Sequence, residues 1–176
     1  MIETQRIHYV QNYTSQLLKM ANVQQPPVPV EQIARLRNVE VRCVAFDDAL
    51  SGLLFEERGR TIIGVNQEHP KTRQRFTIAH ELGHLELRHW REFHIDRHFP
   101  AIARGGRSEQ APNPEAEASA FAVELLLPAA MLAHDLGDHT LDYESEALLT
   151  LLARRYQVSL QILLFRLTSL GLVQAF

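Results

Sequence analysis

Apolar residues recur at helical spacing from Thr4 to Asn22, with Ile7, Val10, Leu17, Leu18 and Val23 on or near one side, and Pro26-Pro27-Val28-Pro29 breaks the run. A short helix over Val30 to Arg37 leads into a strand from Val39 to Phe46. Two further apolar runs, Gly52 to Glu56 and Thr61 to Asn66, flank Glu57-Arg58-Gly59-Arg60 and predict a hairpin. Helical spacing returns from Lys71 to Trp90, where Phe76, Ala79, Leu82, Gly83 and Leu87 recur without a breaker and Pro70 suits a first helical position. Glu92 to Pro112 carries little periodicity, and Arg104-Gly105-Gly106-Arg107-Ser108 has the composition of a loop. The next helix has legible ends: Asn113 can cap, Pro114 fits the first turn and Pro128 stops it, giving about 114–127. Two more helices follow, Glu144 to Tyr156 and Leu160 to Leu170, joined through Gln157-Val158-Ser159.

The second of these long helices carries His80-Glu81-Leu82-Gly83-His84, an H-E-x-x-H pattern. Positions i and i+4 stand one above the other on a helix, so His80 and His84 can reach one metal ion. Glu81 is turned by about 100° around the axis, where its carboxylate can take a proton from a water at the metal's open position. A glycine inside a helix costs about 1 kcal/mol relative to alanine, so Gly83 predicts close packing of another backbone beside the site.

A catalytic zinc site takes three protein ligands. The continuation H-E-x-x-H-x-x-G-x-x-H is excluded, because Leu87 and Trp90 stand at the glycine and third histidine positions. The helix after Asn113 offers a carboxylate instead: Glu115 is the first candidate, Glu117 the second and Glu124 the third. Acidic residues at a helix start also meet the macrodipole favourably, and spacing alone does not separate that role from ligation.

The stretches Pro29 to Ala34, Leu50 to Leu54, His69-Pro70, Arg73 to His84, Glu115 to Ala118, Phe121-Ala122 and Glu124 to Pro128 together resemble the ImmA/IrrE family of metallopeptidases over most of the chain. The resemblance implies an α+β fold of zincin-like, gluzincin type, with a small antiparallel sheet packed on helices and a helical C-terminal part. It implies Zn²⁺ held by His80, His84 and Glu115, with Glu81 as catalytic base. It further implies an endopeptidase acting on a specific regulatory protein, a helix-turn-helix transcriptional repressor. Family members usually carry Asn or Asp directly after E-x-x-A, where this chain has Ser119. Ser119 lies four residues after Glu115 and can support a ligand imidazole by a hydrogen bond, with shorter reach than an amide or carboxylate. His139 and Tyr143 are candidates for oxyanion stabilisation if their segment folds over the cleft.

Residues 1–130 are expected to form the metallopeptidase core and 131–176 a helical extension packed on it. A strand edge between Leu50 and Asn66 could bind an extended substrate through main-chain hydrogen bonds. His94, Asp96 and His98 read as polar residues of a loop or short helix and are left out of the ligand set. His8, His69, His89 and His134 read as surface or satisfied core.

The single cysteine, Cys43, gives no internal disulfide framework and suits a reducing, cytoplasmic setting; strand alternation predicts that it is buried. No apolar run reaches about 18 residues, so no membrane span is expected. With 18 basic against 21 acidic residues, the formal net charge of −3 gives no global case for nucleic-acid binding. Leu152 to Leu163 has the rhythm of a helix-turn-helix, but its second helix offers Arg166 among Leu160, Ile162, Leu163, Leu164, Phe165 and Leu167, a pattern made for burial. Two alternatives to the peptidase follow. One is a catalytically weak regulatory or toxin–antitoxin binding module that keeps the metal-site fold. The other is a DNA-binding regulator using the C-terminal helices.

Overall fold

The structure is a computed structural model that describes residues 2–89, 93–96, 113–137 and 146–173. His139, Tyr143, His98 and the Arg104–Ser108 stretch lie outside the described residues.

Among the described residues, seven helices and four strands form a mixed α+β fold. The helices are α1 (Ile2–Met20), α2 (Val30–Leu36), α3 (Lys71–Glu86), α4 (Pro114–Leu126), α5 (Ala129–Leu136), α6 (Glu146–Tyr156) and α7 (Leu160–Ser169). The strands are β1 (Val39–Val44), β2 (Gly52–Glu57), β3 (Arg60–Asn66) and β4 (Phe93–Asp96), in the order β1-β3-β2-β4. The β2–β3 hairpin turns through Arg58 and Gly59, both at positive φ.

The sheet corrects the expectation of an antiparallel arrangement in one respect: β1 runs parallel to β3, with Val39 opposite Thr61. Only β2 is antiparallel to both its neighbours, β3 and β4. Neither strand between Leu50 and Asn66 is an edge, so the expected docking edge does not exist there. A third correction concerns Cys43, which is exposed. Val39, Val41 and Cys43 share one face of an outer strand, and their burial falls from buried through intermediate to exposed as the strand runs out from under its cover.

One apolar cluster runs from α1 to α7, with Leu17, Ile33, Leu54, Ile63, Leu82, Phe121, Leu126, Leu149, Tyr156 and Leu163 all buried. Buried Arg75 ties the metal-motif helix α3 into it, donating to the carbonyls of Val28 at 2.7 Å and Gln157 at 3.2 Å. No single helix among the described residues is long and apolar enough to cross a membrane.

Arg166 on α7 is turned inward, donating to Leu127 O at 3.0 Å and to Glu124 Oε2 at 2.6 Å. Both side chains of this ion pair are largely buried, at 8% and 12% exposure. Removing one partner strands the other's charge in a poorly solvated place, which typically costs about 3–5 kcal/mol. Arg166→Met is therefore expected to lower unfolding free energy by about that amount in urea titrations. A loss below about 1 kcal/mol would show the pair to be incidental.

Candidate metal centre

The site is built where α3 crosses α4. Both helices start where the sequence places them: Pro70 precedes α3, and Asn113 caps α4 by accepting hydrogen bonds from the amides of Glu115 and Ala116. The far end of α3 comes earlier than the pattern predicts. The chain leaves the helix through Arg88 at φ 59°, with His89 N bonded to His84 O and Arg88 N to Leu85 O. That turn folds His89 back beside His84, ring centroids 5.5 Å apart.

Gly83 faces α4. A Cβ built there would lie 3.0 Å from both Cα and O of Ala118 and 3.2 Å from Cβ of Phe121. The obstructing atoms are mostly backbone, so a methyl group can enter only by parting the two helices. Overpacking of this kind costs about 1–3 kcal/mol, against about 1 kcal/mol gained from helix propensity. Gly83→Ala is thus expected to destabilise the zinc-free protein by up to about 2 kcal/mol and to weaken zinc binding, because Ala118 and Glu115 ride on the same helix. Chemical denaturation and chelator competition read the two effects.

Close crossing brings Glu115 over the two histidines. His80 Nε2 and His84 Nε2 are 3.1 Å apart; Glu115 Oε2 lies 3.3 Å from the first and Glu115 Oε1 3.4 Å from the second. One ligand atom from each residue falls within a group spanning 4.8 Å. Tetrahedral zinc, with ligand bonds near 2.0–2.2 Å, sets neighbouring ligand atoms about 3.3–3.5 Å apart. Each separation is within a few tenths of an ångström of such an edge, the two to Glu115 being made by different oxygens of its carboxylate, so the donor set fits a zinc ion.

Electrostatics favour the same use. Burial, aided by the nearby His80 and His94 and opposed by a hydrogen bond to Glu115, lowers the His84 pKa to about 4. The imidazole is neutral at pH 7, with a lone pair available to a metal. Hydrogen bonds from His80, His84 and His94 hold the Glu115 carboxyl far below the usual carboxylate range. Behind His80, Ser119 Oγ lies 3.3 Å from Nδ1. A proton on Nδ1 directed at that hydroxyl leaves Nε2 free to bind.

The other acidic candidates are engaged elsewhere. Glu117 bonds Arg6 at 2.6 Å and His89 at 3.1 Å, and Glu124 holds Arg166. Glu81 is completely buried, its side chain against β2. A Cβ at Gly52 would lie 3.4 Å from Glu81 Oε1 and only 2.4 Å from Thr77 Cγ2, so β2 can approach the base only because residue 52 is glycine.

One residue of the site is missed by sequence reasoning. His94, assigned above to a loop or short helix, stands on β4 opposite Leu54. Its Nδ1 lies 3.1 Å from Glu81 Oε2 and its Nε2 3.0 Å from Glu115 Oε1, with its ring centroid 3.8 Å from that of His84. Burial acts to lower its pKa, but hydrogen bonds to Glu115 and Glu81 outweigh burial and raise it to about 10. A four-residue strand has too little pattern to announce itself; only the alternation of Phe93-His94-Ile95 hinted at it.

Helix pair, mixed sheet and converging donors define an α+β protein in which His80, His84 and Glu115 form a group that could hold a metal ion. Residues 34–168, well over half of the chain, match the peptidase family described as IrrE N-terminal-like domain, and the chain belongs to this ImmA/IrrE family. Among solved structures, a transcriptional regulator from Mycobacterium tuberculosis is similar, with a TM-score of 0.64 at 14% identity. The match covers 92% of this chain and 47% of that one, so the chain spans about half the length of that protein. At such identity the likeness concerns the fold alone. No curated protein matches the chain.

Proposed function

We propose that this protein is a zinc-dependent endopeptidase with a zincin-like core that hydrolyses a peptide bond in a specific regulatory protein, a helix-turn-helix transcriptional repressor being the substrate class. The observation that carries the proposal is the convergence of His80, His84 and Glu115 within one metal-sized group, with buried Glu81 next to His80 on the same helix. Membership of a peptidase family supports the hydrolytic part, and the regulator fold of the neighbouring structure is in keeping with a regulatory setting.

Zinc held by these three residues would supply Lewis acidity and would lower the pKa of water from 15.7 to about 7. Glu81 accepts a proton from the attacking water and returns it to the amide nitrogen as the carbon–nitrogen bond breaks. Its enclosure against Gly52 and Thr77 limits competing solvent around the carboxylate. The outer edge of β4 has no strand partner among the described residues and lies next to the site through His94. An extended substrate segment can add there by main-chain hydrogen bonds.

A second reading, a binding module with weak or absent catalysis, draws on Ser119, whose 3.3 Å contact with His80 is the only support the ring's Nδ1 receives among the described residues. DNA binding through α6 and α7 has Arg166 against it, because its guanidinium is committed to Glu124 and Leu127. Incubating the zinc-loaded protein with candidate repressors, with Glu81→Gln as control, separates the readings. Cleavage lost in the variant supports the peptidase. Stable binding of a repressor without cleavage supports the module, and salt-dependent DNA affinity supports the regulator.

A further inference from the structure

We infer that His94 is a positioning residue that holds both the base and the third ligand in their working orientations. The inference rests on the peptidase reading above and adds a residue to its site. The geometry is a bridge: one imidazole joins Glu81 Oε2 at 3.1 Å to Glu115 Oε1 at 3.0 Å.

Each carboxylate needs such help for a different reason. Glu115 stands in the first turn of α4 with its side chain half exposed, so its orientation leans on its hydrogen-bond partners. His94 engages Oε1, the oxygen that also lies 3.4 Å from His84 Nε2, while Oε2 faces His80, so the one bond from His94 steadies the carboxylate across both histidines. Hydrogen-bond partners behind metal ligands are typically worth about 10–100-fold in metal affinity or activity. Glu81 is fully buried, and a ring nitrogen donating to Oε2 fixes the plane of its carboxylate relative to His80 and His84. Because Leu54 pairs with His94 in the β2–β4 register and is itself fully buried, the strand directs the imidazole toward α3. The short strand β4 thus contributes a group to the site between two ligand-bearing helices.

The test compares His94→Ala and His94→Gln with the unaltered chain. Glutamine keeps two N–H donors on one nitrogen and fills most of the space, so it also controls for collapse of the site. Chelator competition, which needs no substrate, is expected to show zinc bound about 10–100-fold more weakly by His94→Ala, with much of the loss recovered by His94→Gln. In the zinc-free protein, the Tm losses of His94→Ala and Glu81→Ala are expected to be smaller in combination than their sum, because each removes one partner of the same bond. With a cleavable repressor, kcat is expected to fall about 10-fold or more while KM changes little. Unchanged or tighter zinc binding in His94→Ala, or additive Tm losses, would overturn the inference. A protein that cleaves nothing yet shows the first two effects defeats the peptidase reading and leaves the positioning role standing.

Discussion

Exchanging Glu81 for glutamine is expected to lower kcat for repressor cleavage about 10²–10⁴-fold while zinc stays stoichiometric. The two side chains have nearly the same shape, which matters at a position with no exposed surface. An amide cannot accept the water's proton, so chemistry is expected to stop while His80 and His84, one residue before and three after, keep their places. Single-turnover cleavage assays with metal analysis of the same sample provide the check. A variant that cleaves at the original rate would remove Glu81 from the mechanism.

The second large effect concerns metal retention. Glu115→Ala is expected to weaken zinc binding by more than about 100-fold, beyond what loss of a supporting hydrogen bond produces. The fold should survive, since Asn113 caps the backbone amides of residues 115 and 116 whatever side chain stands at 115. Glu117→Ala is the matched control. Its carboxylate is occupied by Arg6 and His89, so its removal is expected to leave zinc affinity within a few-fold of the original. Equal losses in the two variants would mean that the acidic start of α4 acts through its charge rather than through one ligand.

Much of this arrangement could be read from residues alone, and the reasons are physical. Glycine and proline at element ends, Asn113 before Pro114 and the four-residue spacing of His80 and His84 each impose a local geometry that needs no distant partner. The close approach at Gly83 was legible for the same reason, since a helix tolerates the propensity cost only where something requires it. Choosing Glu115 over Glu117 was harder, because both sit in the first turn and the crossing angle of two helices decides which one faces the histidines.

Features that depend on pairing between distant segments stayed hidden. The parallel alignment of β1 with β3 comes from the 45–51 connection, which carries the chain past the place of β3 before β2 turns back into it, a route that alternation within a strand does not encode. Cys43 alternates as a buried residue should, yet its outer strand has lost its cover by that point. His94 joins the site only because four residues of β4 pair with β2 in one register; a shift of one residue would turn the imidazole to the opposite face.

X-ray absorption at the zinc edge of the loaded protein tests the central claim most directly. Convergence of His80, His84 and Glu115 on one ion requires one zinc per chain with two imidazole nitrogens and oxygen ligands at about 2.0–2.2 Å, and an oxygen contribution that changes in Glu115→Ala. Substoichiometric zinc under saturating conditions, or a ligand shell unaltered by that substitution, would contradict it.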